Sequence, residues 1–211
     1  MPANLPSLLA CLKQMKAIYL GDPNVAVRGQ GFINLLHDYC IEELVNIGVA
    51  REKIFKEATV YGSHKAKDVD VAVIDKINGP FIIIGIRSQM SSVSKNILTY
   101  YEEIIGDCIS LHDRFPMAVI CYMYLLPTKP IKPGLEREPV DLERAEKLFR
   151  LITDRGDWRN TKDKYEHFAF LKVDFTKENP ELLDTIPILR VNDFFDKIKE
   201  TYNERNLFNQ F

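Results

Sequence analysis

Cysteine is sparse and shows no pairing logic. Cys11, Cys40, Cys108 and Cys121 are scattered through apolar stretches of the 211-residue chain with no Cys-x-x-Cys spacing. That distribution argues against a disulfide framework or a thiolate metal site and predicts reduced core thiols, as in a cytoplasmic protein. Long apolar runs are missing too: no segment approaches the roughly 20 residues a membrane-spanning helix needs, and the first residues lack a basic cluster followed by a continuous apolar stretch. Neither membrane insertion nor secretion is expected. Positive charge is not in excess, since the net charge is −2, so no global field draws a polyanion. A local groove remains compatible with that balance, because phosphate contacts need only a few placed cations. Gly-x-Gly-x-x-Gly, Walker-type and Gly-x-Ser-x-Gly motifs are absent, which removes sequence support for dinucleotide, nucleoside-triphosphate and α/β-hydrolase chemistry. His37, His64, His112 and His167 show no ligand spacing with each other or with cysteine. His112 falls at a helix end, where an imidazolium is stabilised in any case. Internal repeats and low-complexity tracts are also lacking.

What is present reads as a mixed α/β chain. The apolar share of 46% is ordinary for a globular protein, and a chain of this size hides roughly 70% of its unfolded surface. Helical spacing predicts helices over Leu5–Tyr19, ending near Gly21-Asp22-Pro23, and over Gly31–Ile47, closed by Gly48. Glu57–Tyr61 is a short candidate strand. Alternation from Asp68, a tight turn at Asn78-Gly79-Pro80 and the β-branched run Phe81–Met90 predict a β-hairpin, and the second strand is apolar enough to lie inside a covered sheet. Ser91, Ser92 and Ser94 offer capping hydroxyls to a helix reaching about Leu111, with Ile97, Tyr101, Ile104, Cys108 and Leu111 on its buried face. Met117–Leu126 reads as a buried strand. Four prolines and a glycine between Pro127 and Pro139 separate it from a helix over Asp141–Ile152, a polar loop around Asp157–His167, a strand over Phe168–Phe175 and a last helix over Asn192–Glu204.

Metal-assisted hydrolysis of a phosphodiester needs acidic oxygens beside the scissile phosphate and a cation that steadies developing charge. Two neighbouring strands supply these economically if one carries an acid at its solvent-facing end and the other presents a second acid and a base two residues apart on one face. Asp70 stands where Lys65, Lys67 and Asp68 give way to an apolar strand, and Arg87 and Gln89 share a face of the next one. As isolated residues, Asp68 and Asp70 read more often as solvated edge residues, Arg87 as an ion-pair partner, and Glu102 and Glu103 as a wet helix face; their joint order is what favours the functional reading. The run from Lys67 to Ile74, the hairpin, and Ile83-Ile-Gly-Ile-Arg-Ser-Gln-Met-Ser-Ser-Val-Ser-Lys-Asn together resemble the core of the PD-(D/E)XK nucleases, the superfamily that includes type II restriction endonucleases. The likeness covers about residues 31–126 and is sharpest over Asp68–Asn96.

That resemblance implies a restriction endonuclease-like core: helix, three strands, helix, strand, with a mixed central sheet flanked by helices and a C-terminal elaboration over about 127–211, all in one domain. Asp70 matches the family's metal-binding acid, and Gly85-Ile86-Arg87 matches its acid-x-Lys element. Two departures follow: Gly85 supplies no acid, and Arg87 keeps the charge but cannot surrender a proton near neutral pH. In some relatives the acid moves to the following helix, which here offers Glu102, the preferred candidate, or Glu103; Lys95 lies on the same flank as Glu102. The resemblance thus implies a Mg²⁺-dependent nuclease acting on double-stranded DNA as a homodimer; Gly85 and Arg87 leave open a catalytically silent relative that binds nucleic acid or a protein partner. Catalysis would fall to Asp70, Arg87, Glu102 and Lys95, and metal binding to Asp70, Glu102 and Gln89. Ser88, Ser91, Ser92 and Asn96 either contact DNA or serve the helix start, with Ser94 beside them. Arg155, Trp158, Arg159, Lys162 and Lys164 form a basic loop that either grips nucleic acid through Arg159 or packs on the core through Trp158.

Overall fold

The computed structural model describes residues 3–22, 30–129 and 140–207. They form an α/β architecture with a six-stranded mixed sheet and five α-helices. Helix α1 (Leu5–Gly21) starts where the Asn4 side chain accepts the Ser7 N–H, and α2 (Asn34–Asn46) precedes the strands. Strands β1 (Ile54–Tyr61), β2 (Ala66–Asp75) and β3 (Gly79–Ser88) form an antiparallel meander. Helix α3 (Val93–Arg114) returns the chain to β4 (Val119–Pro127), parallel to β3; α4 (Leu142–Leu151) leads to β5 (Phe168–Asp174), parallel to β4. A short β6 (Glu181–Leu183) pairs antiparallel to β5, and α5 (Phe194–Arg205) is the last helix. Strand order across the sheet is the chain order. None of the helices is long and apolar enough to cross a membrane among the described residues.

The hairpin between β2 and β3 forms as the alternation predicts. Its turn is fixed by the Asp75 carboxylate, which accepts the backbone N–H groups of Ile77 and Asn78, and by Gly79, whose φ of 83° favours glycine. β4 is buried at all of its positions, so it must be covered on both faces. Helices α1, α2 and α5 cover one face, where Leu12, Leu36 and Phe195 meet Val71, Ile84 and Leu171. α3 and α4 cover the other, where Ile104, Leu111 and Phe149 meet Ile83, Tyr124 and Phe170. All four cysteines are buried and free, as their spacing predicts.

Several expectations need correction. β1 begins at Ile54, earlier than the Glu57–Tyr61 segment, and β6 was not anticipated because three residues carry no readable alternation. Ser92, at the N-cap of α3, adopts a left-handed φ of 53° and makes no side-chain capping bond, so its hydroxyl does not cap the helix as expected. Most of the Pro127–Pro139 stretch, with Pro23 and the Ser94 side chain, lies outside the described residues.

Far from being a solvated loop residue, Glu166 is 2% exposed and sits at the centre of a charged network. Its carboxylate accepts from Arg155 at 2.8 Å, from Arg205 at 2.9 Å and from the Ile120 N–H at 2.8 Å, and lies 3.1 Å from His112 Nε2. Burial alone would push this acid up, but the His112 bond and the neighbouring cations hold it at about 2. Arg155 also donates to the carbonyls of Pro116, Trp158 and Thr161, so the basic loop is fastened from inside by its own arginine.

Candidate functional site at the split between two strands

The ladder between β2 and β3 runs from Asp75/Gly79 to Val71/Ile84 and has no further pair. Beyond it, Asp70 Oδ2 accepts the Ile86 N–H at 2.6 Å, so a carboxylate takes the place of a strand-to-strand bond. On its other side Asp70 faces Glu57, where the β1–β2 ladder also skips a pair and Glu57 takes a φ of 54°. Both strands change face at this point: Ile54, Val71 and Val73 belong to the core under α2, while Val60 and Val69 belong to the core under α3. A non-glycine residue in the left-handed region carries strain, and here it coincides with the acid singled out from the sequence.

The split opens a cavity of about 120 Å³ in which Asp70, Lys67, Arg87 and Asp107 surround Gly85 and the Tyr122 ring. Burial raises the Asp70 pKa; the Ile86 N–H and the charges of Lys67 and Arg87 lower it, Glu57 raises it again, and it settles at about 6. From α2, His37 brings Nε2 to 3.5 Å from Asp70 Oδ1. That ring is 2% exposed, neither nitrogen has a hydrogen-bond partner, and burial together with Lys56 pushes it down to about 4 against the pull of Asp38. Sequence spacing gave no reason to single out His37, because its partner is a strand residue 33 positions away.

Arg87 projects from β3 onto the α3 face, with Nη1 2.9 Å from Glu103 Oε2 and its guanidinium 4.3 Å from the centre of the Tyr100 ring. Of the two adjacent glutamates on α3, Glu103 is therefore the one that pairs with Arg87; it and Glu102, the preferred candidate, are both exposed, and neither lines the cavity. One turn further along α3, Asp107 is 7% exposed and lies 2.5 Å from Lys67 Nζ and 3.1 Å from Lys65 Nζ. It was missed in the sequence, although its spacing of four from Glu103 puts both acids on one helix flank.

Gly85 has a steric reason. A Cβ there would come within 2.5 Å of the Tyr122 ring, which is stacked on Tyr124 and Phe168. The place an acid would occupy on this strand is filled by an aromatic ring. Gly85→Ala is expected to destabilise the fold by about 1–3 kcal/mol through overpacking, measured by chemical denaturation. A simultaneous Tyr122→Ala should remove most of that increment, and additive losses would show the clash to be irrelevant.

The remaining predicted residues divide between the two ends of the central strands. Ser88 ends β3 and pairs with Leu125, and Ser91, Ser92, Lys95 and Asn96 follow at the same end, with Ser91 and Lys95 exposed. Gln89 accepts the Tyr124 hydroxyl at 2.8 Å through the amide oxygen proposed for metal and donates to the Ser92 carbonyl, so it braces the β3–α3 turn. Arg159 lies elsewhere: its loop is tied to Ile120 by the Glu166 N–H and to Asp113 by Lys162, about 16 Å along β4 from Leu125 at ordinary strand rise. Arg159 packs over the half-buried Trp158 at 5.0 Å. Cys108, His112 and Glu166 form a thiol, imidazole and carboxylate chain, but all three are buried and burial pushes the thiol well up, so they act structurally.

Among the described residues, no three His, Cys, Asp or Glu side chains are grouped closely enough to cage a metal ion. Mg²⁺ needs less, since it commonly keeps several waters and takes one or two carboxylates plus substrate phosphate. Asp70, a hard oxygen donor at the wall of the cavity, fits that mode. No protein family, curated protein or solved structure matches the chain.

Proposed function

We propose that this chain is a Mg²⁺-dependent endonuclease of the type II restriction kind that hydrolyses phosphodiester bonds in double-stranded DNA, working as a homodimer that addresses both strands. One observation carries the reading: Asp70 stands half-buried where β2 leaves β3, and Arg87 reaches the same split from β3 with a glutamate of α3 bound to it. The order of α2, the three-stranded meander, α3 and a parallel β4 supports it, being the order the PD-(D/E)XK resemblance implies. A metal bound by Asp70 supplies Lewis acidity and a water of lowered pKa. Arg87 neutralises charge on the phosphate once Glu103 swings aside; that displacement costs little, because a partly exposed ion pair is worth about 0–1 kcal/mol. Ser88, Ser91, Ser92, Lys95 and Asn96 position the DNA backbone at the C-terminal end of β3.

Supercoiled plasmid and phage DNA incubated with the protein and Mg²⁺ should become nicked and then linear, and should stay intact in EDTA. Persistence of the supercoiled form over a broad panel of DNAs would overturn the nuclease reading. It would favour a non-cleaving nucleic-acid binder, the reading suggested by the Tyr122 ring over Gly85. Such a binder would hold duplex without metal and with a salt dependence set by its phosphate contacts.

A further inference from the structure

We infer that Lys67, held by Asp107 beside the cavity, is a second cation that meets the substrate phosphate near Asp70, in addition to Arg87. The inference rests on the nuclease reading and deepens it by adding a cation outside the matched positions Asp70 and Gly85-Ile86-Arg87. Three observations carry it. Arg87, the cation expected from the motif, must first release Glu103 and lies against the Tyr100 ring, which leaves room for a second cation at the cavity. Lys67 lines the same cavity as Asp70, is about a third exposed, and lies close enough for its charge to bear on that carboxylate. Asp107 is a nearly buried acid on a helix flank whose neighbours Ile104, Cys108 and Leu111 pack into the core. A carboxylate in that position is costly unless paired, and its partners Lys67 and Lys65 both come from the start of the hairpin.

The arrangement has a chemical consequence. Asp107 is bound to two lysines, so it can orient Lys67 toward the cavity without cancelling all of the local positive charge. Lys67 is a compact point charge on a flexible stem, able to follow a phosphate oxygen entering from solvent, whereas Arg87 is a planar fork already stacked on a ring. Lys67 acts here by touching substrate. Asp107 acts through it, as a positioning residue.

The test pairs two readouts on the full chain. Binding of a fluorescent mixed-sequence DNA duplex is measured by anisotropy in Ca²⁺ across a salt series, and cleavage of supercoiled plasmid is measured in Mg²⁺. Lys67→Ala should reduce the slope of log affinity against log salt by about one and slow cleavage by about 10²–10³-fold. Lys67→Arg should keep the slope. If Lys67→Ala unfolds the protein by stranding Asp107, the double variant Lys67→Ala, Asp107→Ala removes both charges and should show the same reduced slope. An unchanged slope with unchanged cleavage overturns the assignment while leaving the nuclease reading intact. A reduced slope in a protein that cuts no plasmid sustains the phosphate contact and overturns the nuclease reading. Absence of duplex binding by the unsubstituted protein overturns both.

Discussion

Glu166→Gln is expected to cost about 3–5 kcal/mol of folding stability, the range for removing one partner of a buried charge network. The side chains of Arg155 and Arg205 are 0% and 7% exposed, and Glu166 is the acid both of them reach. A glutamine keeps the shape but leaves two guanidinium groups out of water with no counter-charge. The network also joins the end of α3, the start of β4, the loop before β5 and α5 through His112, Ile120, Arg155 and Arg205, so its loss is felt across the sheet. Chemical denaturation of the two proteins measures the difference, and a loss below about 1 kcal/mol would reduce the network to an ordinary surface ion pair. The same acid sets a pH dependence. Its folded pKa lies below its ordinary value of 4.5, so its contribution is complete above about 4.5 and is lost as pH falls toward about 2. Glu166→Gln should flatten the decline of stability in that window.

Asp70→Asn should separate stability from activity. Cleavage is expected to drop by at least about 10³-fold, equivalent to about 4 kcal/mol of barrier, because an amide oxygen is a poor substitute for the anionic ligand. Folding should be unharmed: asparagine can still accept the Ile86 N–H, and the charge it removes is one that burial and Glu57 disfavour. An acid whose folded pKa is raised to about 6 holds its proton more tightly in the native state, so stability falls as pH rises from about 4 through 6. In EDTA above pH 7 the Asn variant should therefore melt at or above the temperature of the unsubstituted protein. An acid kept only to hold β2 against β3 would behave in the opposite way, with a lower melting temperature and unchanged cutting.

Much of this architecture was legible because it is local. The β2–β3 hairpin is written in alternation and an Asn-Gly-Pro turn, β4 in an unbroken apolar run, and α3 in a stripe from Ile97 to Leu111. Contacts that join distant segments were not legible. Nothing near Gly85 announces that the ring of Tyr122 lies over it, and nothing near Glu166 announces an arginine 11 residues back in its own loop and a histidine and a second arginine from two distant helices. The choice between Glu102 and Glu103 turned on which flank of α3 faces the split. Helical periodicity locates the buried stripe but does not say how the helix crosses the strands, and adjacent residues differ by about 100° around its axis. The face change at Glu57 and Asp70 is likewise invisible, since a left-handed glutamate inside a strand contradicts local preference and is imposed by its surroundings.

Calorimetric titration of Mg²⁺ into the protein, alone and with a DNA duplex, and into Asp70→Ala, tests the account at its centre. We expect a binding isotherm that strengthens with duplex present and vanishes in the variant. A heat of binding that survives the loss of Asp70, or no metal-dependent heat with any duplex, would contradict the assignment of the strand split as a metal-dependent phosphodiester site.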